Sequence, residues 1–230
     1  MSVGRDTDNL HTTAIVPVKR LSVANERLDS TLSADERSRL AEALFLDLIM
    51  KLPHCRCLDD VMVVTSDPSV ARQARWFGNK VLLQERDEGH SEAATAGARA
   101  AMADGADRVA MLPVDCPMLE PEELDAHIGR SARTVLIVPD RHGTGTNALV
   151  LAPPDVFLPA FGPESCSRHV SRARAAGISF ALEEIESMGM DLDTPEDMAL
   201  LRDRLLLDPK PAQRTAKVLW ELGDRTPAAA

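Results

Sequence analysis

Val109-Ala110-Met111-Leu112, continued by Pro113-Val114-Asp115-Cys116-Pro117-Met118-Leu119, sets the pattern from which the rest of the chain is read. A short unbroken apolar run ends in a loop, and the first charged residue of that loop is a carboxylate. Continuous rather than alternating apolar residues are expected of a strand covered on both faces. In sheets of such strands, ligands gather beyond the carboxyl ends. Asp115 therefore stands where chemistry is expected, between two prolines that stiffen its backbone. A rigid carboxylate there suits a Mg²⁺ ligand. An aspartate in an ordinary turn is the plain alternative.

Similar runs occur on either side. Ala14-Ile15-Val16, Val61-Met62-Val63-Val64 and Val81-Leu82-Leu83 precede it, and Thr134-Val135-Leu136-Ile137-Val138 and Ala148-Leu149-Val150-Leu151 follow. Helical segments lie between them. Ser33 and Glu36 form a capping box that starts a helix near Ala34, with Leu40, Ala43, Leu44 and Leu48 as its apolar stripe. Further helices are expected over Pro68–Phe77, Ser91–Ala103, Glu120–Ile128, Pro163–Ala176 and from Thr194 to Leu205. Alternating strands and helices imply a mostly parallel, doubly wound α/β sheet.

The chain has 230 residues, suited to one sizeable domain. Its 44% hydrophobic and 27% charged residues are those of a globular protein. No apolar run is long enough to span a bilayer, and the first twelve residues lack the apolar core of a signal peptide. A cytoplasmic protein without membrane contact is expected. The formal net charge of −10 disfavours a nucleic-acid partner. Cys55-Arg56-Cys57 is only a weak zinc signal, since no second Cys or His pair follows at finger spacing, and with Cys116 and Cys166 these residues read as reduced structural thiols. Residues 208–230 read as a C-terminal tail in which Val218, Leu219 and Trp220 dock on the body or on a second copy, or which stays loosely ordered.

Four loops could carry chemistry. The loop after the first run holds Lys19, Arg20 and Arg27, cations able to hold triphosphate oxygens, or simply solvated. It is neither a Walker loop nor a Rossmann glycine fingerprint. In Asp191-Leu192-Asp193-Thr194-Pro195-Glu196-Asp197, an extended backbone would put Asp191 and Asp193 on one side. With Asp115 they could hold one or two Mg²⁺ ions and substrate phosphates, although Asp193 or Thr194 could equally cap the next helix. Pro139-Asp140-Arg141-His142-Gly143-Thr144-Gly145-Thr146-Asn147 offers glycines whose amides can approach an anion. Phe161-Gly162-Pro163-Glu164-Ser165-Cys166-Ser167-Arg168-His169 brings Ser165 and Ser167 to a helix start, an anion-binding geometry or an ordinary cap.

Taken in order, V-P-V-K, L-P-V-D-C-P-M-L, P-D-R-H-G-T-G-T-N-A-L, F-G-P-E-S and D-L-D-T-P-E-D resemble the guanylyltransferases of coenzyme F420 biosynthesis, the 2-phospho-L-lactate or phosphoenolpyruvate guanylyltransferase family. The resemblance runs from about Thr13 to Leu205. It implies a single-domain, GT-A-like nucleotidyltransferase of Rossmann-like α/β fold, with residues 13–207 as that domain. It implies a reaction in which GTP and a three-carbon phospho-acid give a guanosine diphospho-acid and pyrophosphate. The acid would be 2-phospho-L-lactate, phosphoenolpyruvate or 3-phospho-D-glycerate. The family's metal ligands would fall on Asp115, Asp191 and Asp193, and its phospho-acid contacts on Lys19, Thr146 and Ser165. The nucleotide would lie along the Lys19–Arg27 loop and near Gly89.

One segment departs from the family pattern: Gly89-His90-Ser91-Glu92-Ala93-Ala94 replaces G-L-N-A-A-L. His90 and Ser91 are thereby candidates for altering the nucleotide contact, and His142 for choosing the acceptor. Two other readings remain open at this point: a different transferase of the same fold, such as a cytidylyltransferase, a molybdenum-cofactor guanylyltransferase or a D-x-D glycosyltransferase, and a catalytically silent binding module.

Overall fold

Each apolar run becomes a strand of one sheet in a computed structural model, which describes residues 10–129 and 135–223. The strands are β1 Thr12–Val18, β2 Asp60–Thr65, β3 Lys80–Leu83, β4 Arg108–Met111, β5 Val135–Pro139, β6 Thr146–Leu151 and β7 Phe180–Leu182. Thr134, expected to begin the fifth strand, lies outside the described residues. The sheet order is β3-β2-β1-β4-β6-β5-β7. β1 pairs in parallel with β2 and β4, while β6 runs antiparallel to both β4 and β5. One reversed strand thus sits inside an otherwise parallel sheet. β7 was not foreseen, because its three residues fall below the length at which an apolar run is distinctive.

Neighbouring residues in each run face opposite sides, as a two-residue period requires. Ala14, Val16, Val63, Ala110, Leu136 and Val150 face a core shared with α1 (Ala34–Lys51), α2 (Pro68–Trp76) and α4 (Pro121–Gly129). Ile15, Val64, Val109, Met111, Ile137 and Leu149 face the opposite core, against α3 (His90–Ala103). α5 (Ser165–Ala175) packs beside β5 on that side and contributes Cys166. Both faces are covered, which is why the runs read as continuous.

The helix starts follow their sequence signals. Ser33 accepts from the Glu36 amide and Glu36 reaches back, closing the expected capping box of α1. α2 ends ahead of Gly78, whose φ of +80° suits a residue without Cβ. α6 (Pro195–Leu207) starts from Thr194, with Asp197 completing a second box.

Residues 213–222, placed by the sequence in the tail, form α7 (Gln213–Leu222) on the body. The Asp47 carboxylate of α1 accepts from the Arg214 and Thr215 amides at 3.2 and 2.8 Å, capping the first turn of α7. Leu219 and Leu222 join Leu40, Leu44, Leu201 and Leu205 in a third core. Trp220 points away and is 73% exposed. Among the described residues no helix is long and apolar enough to cross a membrane. All four cysteines are free thiols, and burial pushes Cys55 up to about 12.

Candidate active site

The carboxyl ends of β1 and β4 open into one cleft of about 610 Å³. Because β6 is reversed, its amino end, Thr146, lies at the same edge of the sheet. Lys19, Arg27, His90, Asp115, Thr146, Ser165, Asp191 and Asp193 all line this cleft. Gly89 lines a small adjoining recess shared with Lys19 and His90. Ser91 and His142 line neither.

The cationic wall comes from the loop after β1, which folds into two short 3-10 turns, Leu21–Val23 and Glu26–Leu28. Its course is held from the turn between β2 and α2. Arg20 Nε donates to Ser66 Oγ at 3.3 Å, and the Leu21 amide donates to Asp67 Oδ2 at 3.1 Å. Arg20 is thereby tied to the scaffold, while Lys19 is exposed in the cleft. Arg27 Nη1 crosses to Asp193 Oδ2 at 2.7 Å.

The acidic wall depends on one backbone contact. The Leu192 amide donates to the Asp115 carbonyl at 2.9 Å, joining the two acidic loops. Leu192 is buried among Leu28, Leu40 and Leu44, and Asp191 and Asp193 on either side of it face the cleft. The alternation expected from the sequence is present. Asn147 Nδ2 and Cys116 Sγ both donate to the Met188 carbonyl, at 2.6 and 3.5 Å, and hold the approach to this strap. Burial, then the charges of Asp193 and Asp191, push the Asp115 carboxyl up to about 7. Burial likewise raises Asp191, with Asp193 adding to it.

Three carboxylates thus face one cleft, each with one cation acting on it: Lys19 on Asp115, Arg141 on Asp191 and Arg27 on Asp193. Such hard oxygen donors suit a cation that takes oxygen ligands. Among the described residues, however, no three acidic, histidine or cysteine side chains converge on a ready-made metal position. Asp115, Asp191 and Asp193 could therefore hold a cation such as Mg²⁺ only together with other oxygen donors, such as substrate phosphates.

The Gly-Thr loop departs from expectation. Its amides do surround an anion, but the anion is the chain's own Asp140. The Asp140 carboxylate accepts from the His142, Thr144 and Gly145 amides at 3.1, 2.9 and 2.8 Å. A Cβ on Gly145 would lie 2.5 Å from Asp140 Oδ2, so this glycine is needed for close approach to a carboxylate rather than to substrate. Arg141 does not pair with Asp140. Its guanidinium binds Asp197, which is 2% exposed, and Nε donates to His142 Nε2 at 3.1 Å. The ion pair ties this loop to the start of α6. His142, expected to help choose the acceptor, is engaged with Arg141 at an exposed position outside the cleft.

The opposite end is formed by α5. Ser165 is buried at the first position of the helix and lines the cleft, whereas Ser167 Oγ donates to the Glu164 carbonyl as a local turn contact. Ser91, expected to touch nucleotide, instead accepts from the Phe161 amide at 2.9 Å and ties α3 to the 161–165 loop. His90, beside it, meets the Phe161 ring edge-on at 4.7 Å. Burial, then Lys19, lower its pKa to about 4. Thr146 Oγ1 lies 3.0 Å from His169 Nδ1. The sequence did not single out Asp140, Asn147 or Phe161 for these contacts. Asn147 had a readable signal, since Asn is disfavoured in strands and here stands inside β6.

Sheet, cleft and the strand-end placement of its charged residues define an α/β nucleotidyltransferase. In the solved structure of a putative nucleotide-diphospho-sugar transferase from Desulfovibrio desulfuricans, the same fold recurs with a TM-score of 0.74, at 18% identity over 91% of this chain and 94% of that one. Residues 12–203 match the family described as "Guanylyl transferase CofC like", and the chain belongs to that family. A phosphoenolpyruvate guanylyltransferase from Conexibacter woesei is 42% identical over 84% of this chain and 88% of its own. A 3-phospho-D-glycerate guanylyltransferase from Phenylobacterium zucineum is 35% identical over 92% of this chain and 97% of its own. A 2-phospho-L-lactate guanylyltransferase from Methanothermobacter thermautotrophicus is 32% identical, covering 82% and 83%.

Proposed function

We propose that this protein transfers the guanylyl group of GTP to the phosphate of a three-carbon phospho-acid and releases pyrophosphate, as a step of coenzyme F420 biosynthesis. The observation that carries this reading is the cleft itself. Lys19 and Arg27 stand on one wall, Asp115, Asp191 and Asp193 on the other, and Thr146 and Ser165 at the far end. Family membership supports it, and relatives named for three different phospho-acids all align over most of this chain.

A phosphate oxygen of the acid would attack the α-phosphorus of GTP as the bond to the β-phosphate oxygen breaks. The nucleophile is already anionic, so the task is alignment and charge neutralisation. Lys19 would meet the phosphates from the β1 loop, and Arg27, already engaged with Asp193, would add a second cation. Thr146 and Ser165 would receive the acid. Mg²⁺, held by Asp115, Asp191 and Asp193 together with the triphosphate, would supply charge neutralisation on the reacting phosphates.

Incubation with GTP, Mg²⁺ and each acid, followed by pyrophosphate and product-mass analysis, tests the reading. Release with one acid and GTP alone is expected; none with any acid from folded protein would refute it. One observation favours a second reading. Ser91 is occupied with Phe161, so the amide contact that the family pattern would provide at this position is missing. Another nucleotide of the same chemistry would then be used, and thermal shift against GTP, CTP, ATP and UTP separates the two.

A further inference from the structure

His169 is fully buried behind the acceptor end of the cleft, and both its ring nitrogens are engaged. Nε2 lies 2.9 Å from the Ala160 backbone nitrogen. A backbone N–H can only donate, so Nε2 must carry a lone pair. In a neutral ring the proton then resides on Nδ1, which lies 3.0 Å from Thr146 Oγ1. Burial, then Arg172 and Arg168, lower the His169 pKa to about 4, which keeps the ring neutral near pH 7. Phe161 packs on it edge-on at 5.3 Å and Phe157 is stacked at 6.1 Å, so the ring has one orientation. Nδ1–H donates to Thr146 Oγ1. The Thr146 hydroxyl, a group that ordinarily rotates to donate or accept, has one of its two lone pairs taken up by this bond. Its own hydrogen is left to point away from His169, and Thr146 lines the cleft.

We infer that His169 is a positioning residue that holds Thr146 as a hydrogen-bond donor toward an anionic oxygen of the acceptor. The inference rests on the proposed function, in that the cleft receives an anionic acid. The relay biases polarity as well as place: with one lone pair of Oγ1 occupied and its hydrogen directed away from His169, the hydroxyl favours phosphate or carboxylate oxygens as partners. The chain Ala160 N–H, His169, Thr146 runs from a backbone amide to the cleft without an ionised member.

Two amide substitutions separate the two ring nitrogens. Asn places its amide where Nδ1 was and can still donate to Thr146. Gln places its amide near Nε2 and keeps the Ala160 contact alone. His169→Gln should raise KM for phosphoenolpyruvate, or for whichever acid is turned over, by about tenfold, the order expected when one hydrogen bond to a charged group is weakened. KM for GTP should stay within about twofold. His169→Asn should restore the acid KM. In a Thr146→Val background, His169→Gln should add no further change in acid KM. Titration of phosphoenolpyruvate binding by NMR reads the same contrast without turnover, so loss of guanylyl transfer alone would overturn the proposed function and leave this relay under test. Independently, ¹⁵N-histidine spectra of the full chain should show His169 protonated at Nδ1 and bare at Nε2. A proton found on Nε2, equal acid KM or binding changes in the Asn and Gln variants, or equal rises in both substrates' KM would overturn the relay, as would absence of any phospho-acid binding.

Discussion

Gly97 lies in α3 where that helix crosses β1 and β2, and Gly97→Ala measures how tightly helix and sheet are packed. A Cβ there would stand 2.5 Å from Ile15 Cγ2 and 2.8 Å from Val64 Cγ2. Ordinary carbon contacts begin at about 3.5 Å, so α3 would have to retreat by roughly 1 Å. Ile15 and Val64 cannot yield easily: both are fully buried and both are β-branched, with χ1 confined. Overpacking of this kind costs about 1–3 kcal/mol, and two simultaneous contacts place it in the upper part of that range. Alanine's better helix propensity offsets about 1 kcal/mol. The net loss should be roughly 1–2 kcal/mol, or a Tm lower by about 2–8 °C for a chain of this size. Gly129→Ala at the end of α4, where among the described residues nothing lies within 4 Å of a new Cβ, is the control and should change stability by no more than about 0.5 kcal/mol. Calorimetry or thermal fluorescence of the two variants is the assay. A Gly97→Ala protein as stable as wild type or more so would mean that helix propensity outweighs packing, and the close approach would be refuted. The first turn of α3 carries His90 into the cleft, so weaker nucleotide binding should accompany the loss.

Asp115→Asn, which keeps shape and removes charge, should lower the guanylyl-transfer rate by roughly two to four powers of ten while leaving Tm unchanged or raised, since a buried carboxylate facing two others is removed; near-normal turnover would sink its assigned role. Gly145→Ala should displace the Asp140 carboxylate and weaken its three amide contacts, costing about 2–4 kcal/mol, with urea denaturation as the check; an unchanged midpoint would show that the carboxylate moves freely. His169 is held neutral in the folded chain with a pKa near 4, below the ordinary histidine value, whereas the unfolded chain takes up the proton at about 6.5. Its contribution is complete above about pH 6.5 and is lost as pH falls toward 4, up to roughly 3 kcal/mol, so His169→Asn should flatten the acid limb of the stability profile. An equally steep limb in that variant would count against a buried neutral ring.

Much of this architecture is legible in local sequence because local physics produces it. Continuous apolar runs appear wherever a strand is covered on both faces, and the capping residues Ser33 and Thr194 start their helices through contacts only three residues long. The meeting of Asp115, Asp191 and Asp193 was also within reach, through strand-end placement and the two-residue alternation around Leu192. The Gly-Thr loop was misread for a clear reason. Glycines that admit an external anion and glycines that admit Asp140 have the same composition, and only the direction of the carboxylate separates them. Ser91 and His142 were set among the substrate contacts by their place in the chain. Their partners, Phe161 and Arg141, were set by packing and charge.

By itself the sequence determined the class of fold, the order along the chain of the first six strands and of the helices up to α6, and which loops carry charge, since these follow from periodicity, caps and turn chemistry acting over a few residues. Tertiary structure alone decided that the sixth strand is reversed, that α7 closes over α1 through Asp47, and that Thr146 at the start of β6 meets His169 on α5. Those are contacts between distant segments, and the free energy that selects them comes from burial and hydrogen bonding that no local stretch possesses alone.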